Sequence, residues 1–294
     1  MSTMTDPYRT PVAPKRRSRA LRRLVITLVV LVGLLVIADF AAAAIFEHEV
    51  SKRARAEFNL ADDPKVNVHG FSFLAQAISG EYDQVTVEAE GVPVQDLRDV
   101  DVSAELYGVR APLSDLISGS AKQVTVREVE GTVTLKESDV NRAIRANEND
   151  VVKTFNRVSI NPMSEAQVAD PNAKPPPADV EAEEAKKDKT TAGTRICATA
   201  ELLGTSTDLC VFGIISLGEQ EIGFDPRRLE VRDGLSIGTL DQRTQSVLLS
   251  VLAFKLPTGV LPFQVTPTNV TVSPGQLSVT GKAQEVTLGG GSTG

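Results

Sequence analysis

The chain has 294 residues, 23% of them charged, a formal net charge of −7 and no tryptophan. Residues 1–23 hold seven Lys/Arg and one Asp of the totals of 31 and 38, which leaves 24 basic and 37 acidic residues, a net −13, for the rest. That acidic remainder argues against a nucleic-acid binder, whose phosphate contacts come from Lys and Arg. A zinc site is disfavoured as well, because neither His48 nor His69 lies near Cys197 or Cys210.

Residues 1–23 read as a basic cytoplasmic tail. Lys15-Arg16-Arg17-Ser18-Arg19, with Arg22 and Arg23, runs straight into an apolar segment over 24–46 that Asp39 interrupts. Positive charge before an apolar run keeps the N-terminus inside and sends the downstream chain across the membrane. The segment reads as a transmembrane anchor, with Asp39 near its outer end, or as a signal peptide cleaved within Ala42-Ala43-Ala44. Residues 47–288 are then an extracytoplasmic domain, and 289–294 a glycine-rich flexible tail.

The domain opens with an amphipathic helix over Glu47–Leu60, in which Val50, Ala54 and Phe58 recur every fourth residue. Phe71, Leu74, Ala75 and Ile78 share one face of a short helix that Gly80 closes. Alternation predicts strands over Gln84–Glu90 and Asp99–Leu106, a short helix over Pro112–Ser118, and strands at Val124–Val126 and Val133–Leu135. Ser138 caps a helix through Asn149, and Val151–Ile160 is another strand. Residues 162–194, with Pro175-Pro176-Pro177 and runs of Glu and Lys, read as a disordered loop. Strands resume at Ile196–Leu203, Leu209–Leu217, Glu219–Phe224 and Arg228–Val231. A helix then runs from Asp241 to about Lys255, with Val247, Leu248, Val251 and Leu252 on its apolar face, before a hairpin over Asn269–Thr280. The pattern is α+β, a long antiparallel sheet packed on amphipathic helices. Cys197 and Cys210 fall in neighbouring strands, where they form a disulfide or stand as two buried thiols.

No catalytic motif stands out: there is no G-x-S-x-G, H-E-x-x-H, P-loop or G-x-G-x-x-G. The expected catalytic, metal and cofactor sets are therefore all none. Aromatics make up 4% of the chain, and Val, Leu, Ile and Ala fill the inward positions. Aliphatic surfaces suit acyl chains, whereas sugars and bases usually recruit aromatic platforms.

Several segments carry a family resemblance. His69-Gly70-Phe71-Ser72-Phe73-Leu74 through Gly80-Glu81-Tyr82 and Val85 resembles the hallmark of the LmeA-like family of actinobacteria. So do Leu106-Tyr107-Gly108-Val109 before Pro112-Leu113, Leu256-Pro257 to Leu261-Pro262-Phe263, Val270-Thr271-Val272 and Gly275–Gly281. The resemblance implies an exported, membrane-associated protein that binds phospholipid, with a founding member linked to glycolipid assembly in the cell envelope, while the missing motifs argue against an enzyme. Its fold would be a curved antiparallel sheet wrapped on helices, as in tubular lipid-binding proteins, with an apolar groove. On that basis Phe71, Phe73, Leu74, Ile78 and Tyr82, with Val247, Leu248, Val251 and Leu252, are the candidate lipid-binding residues, the alternative for the first five being core packing. The expected partners are a phospholipid or lipid-linked glycan and the cytoplasmic membrane. The rival reading is a non-catalytic structural or interaction protein of the envelope with a filled core.

Overall fold

In the computed structural model, residues 19–94, 97–112, 124–146, 155–170, 172–174, 189–202, 205–218, 221–233, 236–238, 242–257 and 265–288 are described. The apolar run and the charged segment after it form one helix, α1 (Arg19–Glu57). No break separates residues 24–46 from 47–60, because nothing between them opposes a helix: the junction is alanine-rich and free of Gly and Pro. From Asp39 onward the helix carries an inward stripe at i, i+3, i+4 and i+7. Ala42, Ala43, Phe46 and Val50 pack into the core. Glu47 accepts a hydrogen bond from the Val68 amide at 2.7 Å, and Ser51 donates to the Pro64 carbonyl. The first half of α1 has no such stripe, and its side chains from Leu21 to Ile37 are exposed.

The remainder is α+β. One antiparallel sheet has the order β1-β2-β3-β4-β12-β11, built from β1 (Lys65–His69), β2 (Glu81–Val94), β3 (Leu97–Arg110), β4 (Val124–Lys136), β11 (Thr266–Ser273) and β12 (Gln276–Leu288). The second has the order β10-β8-β7-β6-β5, from β5 (Phe155–Met163), β6 (Thr191–Leu202), β7 (Thr205–Leu217), β8 (Glu221–Asp233) and β10 (Phe254–Pro257), with β9 (Ser236–Gly238) beside β8. Short helices connect them: α2 (Phe73–Ser79), α3 (Glu137–Ala146), α4 (Glu165–Ala169) and α5 (Gln242–Leu252). The expected strands at 124–126 and 133–135 are one strand, β4. The helix expected at Pro112–Ser118 (all but Pro112), the terminal segments 1–18 and 289–294, and residues 175–188 lie outside the described residues. The rest of the expected loop over 162–194 is largely built. Strand β5 runs to Met163, Ser164 and Gln167 close a capping box on α4, and β6 begins at Thr191.

The first sheet bends along one transverse line. Inward residues go from Tyr82 to Val85, Val109 to Leu106, Val126 to Val129 and Val286 to Ala283, skipping two positions instead of one on four adjacent strands. Asp83, Gly108, Arg127 and Glu285 occupy the line and are missing from the ladder pairings on both sides. Gly108 (φ 62°) and Glu285 (φ 51°) take up the change in direction with left-handed backbone.

On the near side of the bend, α1, α2 and the sheet enclose an aromatic trio. Phe46 lies 5.2 Å from Phe73 and 5.8 Å from Tyr82 between ring centroids. Tyr82 is 2% exposed, and its hydroxyl has no hydrogen-bond partner among the described residues. Burial pushes this phenol above its usual range. Tyr82→Phe deletes an unsatisfied polar atom and keeps the ring. Thermal unfolding of this variant should therefore show an unchanged or higher Tm, by at most about 1 kcal/mol or roughly 2–4 °C.

Cys197 and Cys210 are register partners on β6 and β7, with Cα atoms 4.1 Å apart, and are joined by a disulfide. The bridge closes a loop with a sequence separation of 13. Cys197→Ser should lower stability by about 3 kcal/mol, and dithiothreitol should bring the wild-type Tm down to the same value.

Candidate functional site

The two faces of the first sheet have opposite chemistry. Outside, cross-strand partners are polar: Thr132 bonds Thr280 at 2.8 Å, Thr134 bonds Ser278 at 2.9 Å, and Lys282 pairs with Glu130 at 3.2 Å. Lys136 is paired with Asp101, which pushes its ammonium pKa up through a hydrogen bond. Tyr107 donates to Glu105, which likewise raises the phenol. A cleft of about 250 Å³ opens on this side at the bend, lined by Glu81, Asp83, Arg110, Thr125 and Arg127 among others. Its walls are charged, and Arg110 is already paired with Glu81 at 3.1 Å.

The inner face is built from register rows without a charge or an aromatic ring. One row is Val68–Val85–Leu106–Val129–Ala283; the next is Val66–Val87–Ala104–Gly131–Gly281. A third is Ala89–Val102–Val133–Val279–Val270, and a fourth is Leu135–Leu277–Val272. The first row packs against the aromatic trio beneath α1 and α2. The β11–β12 end of the third and fourth rows packs against Ile196, Val211, Ile215, Ile222 and Phe224 of the second sheet. Between these two cores, Val87, Ala89, Val102, Ala104, Gly131 and Val133 belong to neither. None of the six is fully buried, and Val133 is 45% exposed. Ala104 and Gly131 leave a floor of small residues between taller Val and Leu rows. A Cβ placed on Gly131 would meet nothing closer than the Ser103 carbonyl oxygen at 3.9 Å. The result is an aliphatic trough about 20 Å long from Val129 to Leu135, half-buried beyond Val129 and exposed at Val133.

The residues singled out from the sequence fall in three places. Phe73 and Tyr82 are core residues, and Leu74 packs against that core. Phe71 (96% exposed) and Ile78 (87% exposed) point away from it. The buried stripe of α2 is instead Phe73, Gln76 and Ala77. Gln76 is tolerated there because its amide donates to the His69 carbonyl at 3.3 Å and accepts from the Asp83 amide at 2.9 Å. Gly80 closes the helix in the left-handed conformation (φ 71°), its amide bonding the Gln76 carbonyl at 2.8 Å. Val247 and Leu252 are exposed on α5, which packs on β8. The side chains of Leu248 and Val251 lie outside the described residues. Of the seven whose side chains are described, Phe73, Leu74 and Tyr82 lie in or against the core, while Phe71, Ile78, Val247 and Leu252 are exposed. The sequence does not mark the trough residues as a set. Their signal is the alternation Val85-Val87-Ala89 and Val102-Ala104-Leu106, which marks an inward face but not which rows stay uncovered.

A family model described as LmeA-like phospholipid-binding matches residues 37–282. The chain belongs to that family. The match starts inside α1, two residues before Asp39, takes in Asp83, Gly108 and Arg127 of the bend and the trough, and ends in β12 before Glu285. The family is defined by lipid binding and not by an enzymatic activity. Comparison with curated proteins and with solved structures returns no match. Among the described residues no group of His, Cys, Asp and Glu is placed to hold a metal ion.

Proposed function

We propose that this protein holds a phospholipid acyl chain against the inner face of its first sheet, over Ala104 and Gly131, at the outer surface of the cytoplasmic membrane. The observation that carries the reading is the incompletely buried middle of that face, half-buried at Val102 and Ala104 and exposed at Val133. A structural domain with a filled core would bury Val102 and Val133, and apolar residues left accessible side by side mark an interaction surface. Ten buried methylenes would contribute about 8 kcal/mol gross, before the cost of ordering the lipid. The family membership supports phospholipid as the cargo class. A lipid-linked glycan would present the same acyl chemistry to the same residues.

α1 serves as an uncleaved anchor in this reading. Its apolar stretch is long enough to span, and its side chains from Leu21 to Ile37 are exposed. The basic flank favours an inside N-terminus, and the Cys197–Cys210 disulfide suits an oxidising compartment outside. Cleavage within Ala42–Ala44 would remove Asp39 and two residues of the inward stripe, so signal removal conflicts with the packing. The protein acts as a non-catalytic carrier or presenter in envelope lipid or glycolipid assembly.

The test is native mass spectrometry of the full chain released from nanodiscs, with lipid extraction. About one tightly held phospholipid per chain is the expected result. A chain that retains none and takes up none on addition would favour the structural reading.

A further inference from the structure

The apolar face that the sequence assigns to α2 exists, yet it points away from the protein. Phe71, just before the helix, and Ala75 and Ile78 on it are exposed, while Leu74 is half buried. Bare phenyl and butyl-sized groups of this kind are costly to leave in water. The position of α2 says what covers them. Asp39 of α1 accepts hydrogen bonds from the Leu74 amide at 2.7 Å, the Phe73 amide at 2.9 Å and the Ser72 hydroxyl at 3.0 Å. These bonds fasten the start of α2 to the place where the apolar run of α1 meets its first charge. A hydrocarbon layer of about 30 Å needs about 20 helical residues, so a span starting at Leu24 reaches about Ala43. Asp39 then lies about 6 Å inside the outer boundary of that layer. Phe40 and Ile45, both 72% exposed, continue the apolar surface of α1 at this level.

We infer that α2 is a membrane foot: its Phe71–Ile78 face sits in the acyl-headgroup boundary of the outer leaflet, held there by the Asp39 carboxylate. The occupant is the lipid of the membrane that α1 spans, so the inference rests on the anchor reading of α1. Asp39 is tolerated near hydrocarbon because its oxygens accept from two backbone amides and a hydroxyl. The foot also sets the direction of the domain. The hairpin β2–β3 starts at the C-terminal end of α2, where the Ala111 amide bonds the Gly80 carbonyl at 2.9 Å, and leads away along the sheet toward the trough.

The chain has no tryptophan, so one introduced indole reports alone. Full-length Phe71→Trp, Ile78→Trp, Leu31→Trp and Ser103→Trp chains are placed in phosphatidylglycerol vesicles containing lipid brominated either near the carbonyl or at mid-chain. Leu31 marks the span. Ser103 is exposed on the outer face of β3, about 23 Å along the strand from Arg110. The inference expects at least twofold quenching of Phe71→Trp and Ile78→Trp, strongest with bromine near the carbonyl. Leu31→Trp should respond to mid-chain bromine and Ser103→Trp to neither. Quenched Leu31→Trp with Phe71→Trp and Ile78→Trp as silent as Ser103→Trp would overturn the foot while leaving the anchor. Silence of Leu31→Trp would defeat both. A blue-shifted but unquenched Phe71→Trp would assign the face to a protein surface and would also overturn the inference.

Discussion

Gly131→Leu is expected to cut lipid retention at least tenfold with little loss of stability. Gly131 lies in the floor of the trough between Ala104 and Gly281, and its added Cβ would make only an ordinary contact, 3.9 Å from the Ser103 carbonyl oxygen. Its backbone is ordinary strand, so a side chain meets no conformational penalty and a Gly is removed from a strand interior. A Leu there fills the floor and displaces the methylenes that would lie on it. Two displaced methylenes correspond to about 1.6 kcal/mol, more than a factor of ten in affinity. The check is phospholipid phosphorus per purified chain beside a melting curve. Unchanged lipid content in a folded Gly131→Leu chain would place the acyl chain elsewhere.

Phe46→Ala should be among the most destabilising single changes, by about 3–5 kcal/mol, or on the order of 10 °C in Tm. Phe46 is 7% exposed and is the one ring that α1 contributes to the trio with Phe73 and Tyr82. Truncation leaves a cavity that three separate elements line, and α1 and the sheet cannot collapse into it without breaking the Asp39 and Glu47 hydrogen bonds. The partner change Phe71→Ala, on the exposed side of α2, should move Tm of the detergent-solubilised chain by less than about 0.5 kcal/mol. Thermal unfolding of the two variants side by side checks the orientation of α2. Equal losses would mean that Phe71 is packed.

Much of this architecture is legible in the residues. The basic flank and apolar run mark α1, Gly80 marks the end of α2, and the turn at Ser273–Gln276 marks the last hairpin. The family resemblance rests on short motifs whose order along the chain is preserved. Three features are not legible because they depend on distant partners. Asp39 reads as a charge interrupting an apolar run, while its hydrogen-bond partners lie 33–35 residues further on. The helical face Phe71–Leu74–Ala75–Ile78 is real, but hydrophobicity alone assigns it to the core. The core takes Phe73, Ala77 and a polar Gln76 whose bonds to β1 and β2 cannot be foreseen locally. Alternation marks which residues of β2, β3 and β4 point inward, whereas the trough depends on the β4–β12 register between residues 148 and 144 apart, as at Thr132–Thr280 and Thr134–Ser278.

The central claim is that the acyl chain lies on the inner face of the first sheet. A phosphatidylglycerol carrying a diazirine at mid-acyl chain, supplied to full-length protein in vesicles and irradiated, reports this contact by peptide mass spectrometry. Adducts on peptides containing Val102, Gly131–Val133 or Val279, lost in Gly131→Leu, are the predicted result. Adducts confined to α1 and α2 would contradict the account and leave a membrane-bound domain without a lipid in its sheet.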